Sequence, residues 1–315
     1  MKIVCNGYDL SDAVGKVIKA AGTKTVNPVL EGIKLECFDG AIKLTATDME
    51  LAIEKTISAE VKVEGSAVVP GRLFAEFVKK LDSERVELSV FGDNKMKIRY
   101  RDSEGELNCL PVDEFPVIKK LESAQKVTFL GKNLRDIINR VSFCVSADES
   151  RPILKGVCFT VENGDVTAVA TDGYRLAKCV KTTEHSDGNV SAVIPARSLN
   201  EISRLIEDDE QPISVLFQKN YVAVDLGHTC ITARVLDGNY IDYRRIIPQR
   251  FETRATVVVE AFESSLERAI LLARSDRNNL VRLDVHENIM DVSSGSEMGK
   301  IDEHLDIKLE GKDLS

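Results

Sequence analysis

Two stretches of this chain repeat one another at a fixed spacing, which constrains its fold more than any other feature of the sequence. PVLEGIKLECFDGAIKLTATDMELA begins at Pro28 and PILKGVCFTVENGDVTAVATDGYRLA begins at Pro152. Pro28 and Pro152, Leu30 and Leu154, Gly32 and Gly156, and Thr47-Asp48 and Thr171-Asp172 all stand 124 positions apart. A second block, VVPGRLFAEFVKKL against VIPARSLNEISRLI, agrees at a spacing of 125 through Pro70 and Pro195, Arg72 and Arg197, and Glu76 and Glu201. The chain therefore holds two copies of one unit. After Arg250 a third copy opens, running strand, helix, loop, strand, strand through TVVVEAFESSLERAILLARSDRNNLVRLDVHENIMDVSSGS. Three whole units would span about 372 residues against the 315 present, so the third is expected to be incomplete. This reading places the units at 1–122, 123–248 and 249–315.

Each half-unit reads as a strand, an amphipathic helix and then alternating strands such as KLTATDMELAIEK and VELSVFGDNKMKIRYR. FDG, ENGD and FGDN supply the turns that hairpins need. The expected fold is α+β: tandem domains, each with two helices laid on antiparallel sheets. At about 100° per residue, the first helix turns Leu10, Val14, Val17, Ile18 and Ala21 inward, with Lys16 and Lys19 opposite. The second buries Phe74, Phe77, Val78 and Leu81 and leaves Arg72 and Lys79 outside. The third buries Leu134, Ile137, Ile138 and Val141, away from Lys132, Arg135 and Arg140. The fourth buries Leu199, Ile202 and Ile206, opposite Arg197 and Arg204. Arg72 and Lys79 thus match Arg197 and Arg204 between copies.

Basic outer helix faces are unexpected in a chain with 42 Lys+Arg against 51 Asp+Glu and a net charge of −9. Stacked repeats would gather these faces into one positive surface, suited to phosphates and indifferent to base sequence. Few aromatics accompany the cations, so duplex backbone is a better ligand than stacked single-stranded bases. No apolar run reaches the ~18–20 residues of a membrane span, and MKIVCNGYDL is not a secretory signal. Seven cysteines, none in CxxC, read as reduced core thiols of a cytoplasmic protein.

Catalytic signatures do not emerge. GxxxxGK[ST], GxGxxG and HExxH are absent, and His228-x-Cys230 has no further ligands nearby, so neither metal nor cofactor is expected. Asp48 and Asp172 are repeat equivalents, which favours a structural role over paired catalytic carboxylates. The Arg-rich AILLARSDRNN brings no nucleophile or base with it. A phosphoryl- or nucleotide-processing enzyme is thereby disfavoured. A protein-binding scaffold unrelated to DNA is the remaining alternative, and the repeated basic faces weigh against it.

In NPVLEGIKLE, ATDMELA, SRPILKGV, ATDGYRLA, IPARSLNEI and LDGNYIDYRRIIP the chain closely resembles the bacterial DNA polymerase III β subunit family, the sliding clamps. The resemblance covers the whole chain. It implies a head-to-tail homodimeric ring of three similar domains per subunit, with helices lining the hole and sheets outside. Such a ring is a non-catalytic processivity factor in the cytoplasm, associated with the nucleoid. It encircles duplex DNA and tethers the α subunit of DNA polymerase III, the clamp loader and repair proteins through short peptide motifs. By the same resemblance Lys24 joins Arg72, Lys79, Arg197 and Arg204 as DNA-facing cations. A partner-peptide pocket maps to Leu154, Thr171, Gly173, Tyr174, Arg175, Leu176, Arg245 and Ile246. Thr171-Asp172-Gly173 by itself reads as a hairpin turn, echoed at Thr47-Asp48. Gly173-Tyr174-Arg175 has no echo. The family's DY is often preceded by Pro, whereas Ile241 stands here.

On the fifth helix Leu266, Ile270 and Ala273 are expected as the core stripe, with Ala269 at its border. Leu271 and Leu272 project about 120–140° away, where a solvated helix should be polar. Glu297, Asp302, Glu303 and Asp306 follow nearby, while Lys97, Arg99 and Arg101 stand beside Leu107 at the end of the first unit. Opposite charges at two ends of one chain suit a head-to-tail joint. The family places its dimer contact in these two regions.

Overall fold

The computed structural model describes residues 1–92, 94–119, 121, 124–275 and 279–314. The expected 122/123 boundary, position 93 of the FGDN turn and positions 276–278 of the Arg-rich segment lie outside the described residues. The first repeat contributes β1 (Lys2–Cys5), α1 (Gly7–Val17), β2 (Gly32–Phe38), β3 (Ala41–Thr47), β4 (Leu51–Val63) and β5 (Gly65–Pro70). It continues with α2 (Gly71–Lys79), β6 (Val86–Val90), β7 (Lys95–Tyr100) and β8 (Ser103–Asn108). The second brings β9 (Gln125–Leu130), α3 (Gly131–Val141), β10 (Gly156–Glu162), β11 (Asp165–Thr171), β12 (Leu176–Thr182) and β13 (His185–Ser186). After these come β14 (Val190–Pro195), α4 (Ala196–Leu205), β15 (Pro212–Phe217), β16 (Tyr221–Asp225) and β17 (Thr229–Arg234). The third has β18 (Thr253–Thr256), α5 (Val259–Ala273), β19 (Arg282–His286), β20 (Ile289–Ser296), β21 (Gly299–Asp306) and β22 (Lys308–Gly311).

Repetition holds at the level of single turns. The first hairpin of each repeat is closed by two residues with positive φ: Asp39 and Gly40, Asn163 and Gly164, Glu287 and Asn288. Two such residues in succession fit the right-handed twist of the strands they join. Helix starts repeat as well. A Cβ at Gly7 would meet the Ser83 carbonyl oxygen at 2.2 Å, and one at Gly131 would meet that of Asp208 at the same distance. Only glycine lets α1 and α3 begin that close to the loops that follow α2 and α4. At α1, Asn6 adds a cap, its side-chain oxygen accepting from the Tyr8 and Asp9 amides.

Residues Met1–Tyr240 form one compact unit and Ile241–Ser315 a second. In the first, β4 pairs with β17 in antiparallel register from Leu51 opposite Ala233 to Lys55 opposite Thr229. This pairing merges sheets of the two repeats into a 13-stranded sheet along the path β13-β9-β15-β16-β17-β4-β1-β6-β7-β8, with β3, β2 and β5 branching from β4. A separate four-stranded sheet runs β12-β11-β10-β14. One continuous core spans both repeats, from Ile3, Leu10 and Phe74 to Phe129, Ile137 and Ile202. In the second unit α5 lies on the sheet β19-β20-β21, and β18 pairs with β22. Its core is small, built on Ala269, Val285, Met290, Val292 and Ile307. No described helix is long and apolar enough to cross a membrane.

The stripes expected for α1 to α4 are buried or half-buried as projected. Helix α5 differs. Its buried residues are Ser265, Ala269 and Ala273, with Leu266 and Ile270 half-exposed at the margins. Small side chains one turn apart let the helix sit close on the sheet, so the bulky ones flank the contact instead of filling it.

Candidate functional site

The four helices of the first unit follow one another in space. α1 packs on α2, and α3 packs on α4. Two ion pairs join the first repeat to α4 and its end across the seam between repeats: Lys16 of α1 with Glu207, just beyond α4, and Arg197 with Asp48. Arg197 also donates to the Lys19 carbonyl at 3.4 Å. Burial would lower the Lys16 ammonium, but its hydrogen bonds to Asp12 and Glu207 outweigh it and raise the group above its usual value.

The five cations expected to face DNA divide accordingly. Lys24, Arg72 and Lys79 are exposed and make no ion pair among the described residues. Arg204 is exposed but paired with Glu201, one turn earlier on the same helix. Arg197 corrects the simple reading, because it closes the seam through Asp48, whose side chain is only 14% exposed. Lys132, Arg135 and Arg140 on α3 are likewise paired, with Glu210, Asp209 and Asp136.

Asp48 and Asp172 have matching structural jobs. The Asp48 carboxylate accepts from the Glu50 and Leu51 amides, and Asp172 from the Tyr174 and Arg175 amides at 2.9 and 3.0 Å. The preceding threonines match too: Thr47 donates to the Leu51 carbonyl at 2.9 Å and Thr171 to that of Arg175 at 2.8 Å. What differs is the guanidinium on the second oxygen. Asp48 takes Arg197 from the neighbouring repeat, whereas Asp172 takes its own Arg175 at 2.9 Å. The Arg175 and Tyr174 amides, then the guanidinium, hold Asp172 down at about 2.

Around this second turn the expected partner pocket is only partly surface. Tyr174 is 97% exposed, Gly173 and Arg175 are exposed, and Leu176 is half-buried. Leu154 and Thr171 are buried at 1% and 4%, so they support the surface from beneath and do not line it. Two groups that the repeat and the resemblance do not single out complete it. Arg175 lies over the Phe143 ring at 5.7 Å and donates to the Phe143 carbonyl. Tyr240 accepts from the Thr171 amide at 3.2 Å, and burial pushes its hydroxyl up to about 12. An exposed aromatic just past the α3 stripe is the available sequence signal for Phe143. In the second unit Arg245 pairs with Asp242, and Ile246 is exposed.

Of the charges expected at a dimer joint, Lys97, Arg99, Arg101, Asp302 and Glu303 are already paired within the chain. Lys97 and Arg99 both reach Glu104 across the β7–β8 ladder, and Arg101 reaches Asp82. Glu303 is bound by both arms of Arg268 from α5, which holds it down at about 2. Asp302 pairs with Lys300. Leu107 is 9% exposed and belongs to the core, which corrects its placement on the surface. Leu271 is 68% exposed, and Leu272 is half-buried outside the core cluster. Glu297 is exposed on the turn between β20 and β21.

None of the seven cysteines is in a disulfide, and burial pushes Cys5 to about 12 and Cys37 and Cys230 to about 11. Among the described residues no cluster of three or more His, Cys, Asp or Glu could hold a metal ion.

Tandem α+β repeats with paired helices on antiparallel sheets define a clamp fold, and solved clamps share it. The chain superposes on the DNA polymerase sliding clamp of Bacillus subtilis with a TM-score of 0.95 at 32% identity, covering all of this chain and 86% of that one. It superposes on the DNA polymerase III β subunit of Thermotoga maritima with a TM-score of 0.90 at 29% identity, covering 99% and 85%. In sequence it is 33% identical to the β sliding clamp of Bacillus subtilis over all of this chain and 86% of that protein. With that of Halalkalibacterium halodurans it shares 34% over 96% and 83%. Family models for the DNA polymerase III β subunit match at residues 1–119 (N-terminal domain), 128–242 (central domain) and 244–315 (C-terminal domain). The chain belongs to the DNA polymerase III β subunit family.

Proposed function

We propose that this protein is a sliding clamp that encircles duplex DNA as a head-to-tail dimer and acts as a non-catalytic processivity factor. The observation that carries this reading is the β4–β17 seam. It joins the first repeat to the second through backbone pairing, leaving equivalent edges to be joined elsewhere. β21 occupies the place of β4 at an offset of 248, and β8 occupies the place of β17. Each ends its own sheet, β21 in β19-β20-β21 and β8 at the end of the 13-stranded path. Edges left open invite pairing. β21 of one copy against β8 of a second, and the reverse, would close a ring of six repeats, with Leu271 and Leu272 beside the joint. The domains run 1–122, 123–248 and 249–315 in this reading.

Exposed Lys24, Arg72 and Lys79, with Arg204 released from Glu201, supply the sequence-independent phosphate contacts. The surface around Gly173, Tyr174, Arg175 and Leu176, backed by Leu154 and Thr171, supports docking of short peptides from the polymerase, the clamp loader and repair proteins. Loading onto a nicked circular plasmid tests the core of the reading. The protein should co-elute with the closed circle and be released when one enzyme cut linearises it. Retention on the linear product would show ordinary phosphate binding instead.

A further inference from the structure

A second apolar cleft lies where the first two repeats meet, at the place in repeat one that corresponds to the Thr171–Leu176 surface of repeat two. Pro116, Val117 and Ile118 form one wall and Tyr221 another, with Met49 at the lip. Its volume is about 90 Å³, the space of about three waters. That is far below the several hundred Å³ that hold a metabolite, but it suits one aliphatic side chain.

Three features indicate a built receptor. Val117 is 89% exposed and Met49 57% exposed, so apolar surface is presented to water at the rim. Met49 has φ 76°, where its equivalent Gly173 has φ 96°. A side chain in this left-handed region is unfavourable, and such outliers persist where surrounding structure holds them for a purpose. A methionine held there sets a flexible, polarisable group over the opening. Charge at the rim is one-sided: Glu50 is paired with Arg234 at 3.4 Å. Lys119 rests over the Tyr221 ring at 5.7 Å and has no carboxylate partner among the described residues.

We propose that this cleft binds a short linear peptide segment of a partner, which inserts one aliphatic side chain between Met49 and Val117 and sets an adjacent carboxylate against Lys119. The inference concerns a site apart from the Tyr174 surface and does not depend on DNA encirclement.

Methyl NMR on the full chain with labelled methionine tests it, using the blocked tetrapeptide Gly-Leu-Asp-Gly and its counterpart Gly-Leu-Lys-Gly. The aspartate peptide should shift the Met49 methyl saturably at millimolar concentration, at least tenfold more tightly than the lysine peptide. Val117→Asp, at an exposed position that leaves folding intact, should abolish the shift, and Lys119→Glu should invert the preference. The shift should survive in Leu176→Glu, which disables the other surface. No saturable shift, equal affinity for the two peptides, or loss of the shift in Leu176→Glu would each overturn the proposal.

Discussion

A single guanidinium separates the two copies of the Thr-Asp turn. In repeat one Asp48 is reached by Arg197 of the neighbouring repeat, and in repeat two Asp172 is reached by Arg175 three residues on. The same local turn thus serves once as a seam latch and once as a self-contained surface feature. Arg197 is about half-exposed, so a charge-assisted bond worth ~1.5–3 kcal/mol when shielded is discounted here to about 1 kcal/mol. Arg197→Ala should lower the unfolding free energy by that amount, through a lower urea midpoint at unchanged slope, whereas Arg204→Ala, which breaks an i,i+3 pair within one helix, should cost only about 0.2–0.5 kcal/mol. Glu303 gives a pH signature in the second unit. Its ordinary value is 4.5, and pairing with Arg268 holds it at about 2 in the folded chain. A depressed carboxylate stabilises the fold above its unfolded value, and that contribution is lost as pH falls from 4.5 towards 2. Thermal melts across this window should therefore fall more steeply for the native protein than for Glu303→Gln. Parallel curves would mean that Glu303 titrates alike in the folded and unfolded chains, and that Arg268 does not hold it down.

The four helices of the first unit succeed one another as α2, α1, α4 and α3, and their unpaired cations are unevenly placed. Among the described residues Arg72 and Lys79 on α2 have no carboxylate partner, while α3 and α4 carry mostly paired cations. Arg72→Ala with Lys79→Ala should weaken duplex binding equally for unrelated sequences, and should flatten log K against log salt by ~0.9 for each phosphate no longer neutralised. A sequence-dependent weakening would count against a backbone-only contact. Much at this scale is legible in the sequence. The repeat and the apolar periodicity of α1 to α4 are local patterns, and local patterns are what a sequence displays. For α5, hydrophobicity favours Leu266 and Ile270 as the inward stripe, while close packing selects Ser265, Ala269 and Ala273. The Arg197–Asp48 latch joins residues 149 apart, beyond the reach of any local pattern. The Lys97, Arg99 and Glu104 pairs are within reach, since alternating charges on two hairpin strands meet across the ladder. Those cations look free only when β7 is considered without β8.

In the proposed ring the β4–β17 joint recurs between copies, and this allows the register with a second copy to be written down. In the seam within the chain, Ala52 stands opposite Thr232. Moving 248 positions along β4 gives Lys300 on β21. β16–β17 and β7–β8 correspond at an offset of 126, Ala223 opposite Thr232 matching Lys97 opposite Glu106, so Thr232 becomes Glu106. Lys300 of one copy should then face Glu106 of the next, an opposite-charge pair one step from the end of the new ladder. Asp302 would face Glu104, whose charge Lys97 and Arg99 already offset. Directly opposed strand residues bring their Cβ atoms to about 4.5–5.5 Å, close to the reach of a disulfide. Lys300→Cys with Glu106→Cys should therefore give a covalent dimer on mild oxidation, resolved on a non-reducing gel, and neither single variant should. Lys300→Cys with Glu104→Cys, shifted two residues along the strand, serves as the control and should stay monomeric on the gel. If the control pair links and the first does not, the copies meet in another register. If neither links while sedimentation still shows a dimer, the copies associate through some surface other than β8 and β21.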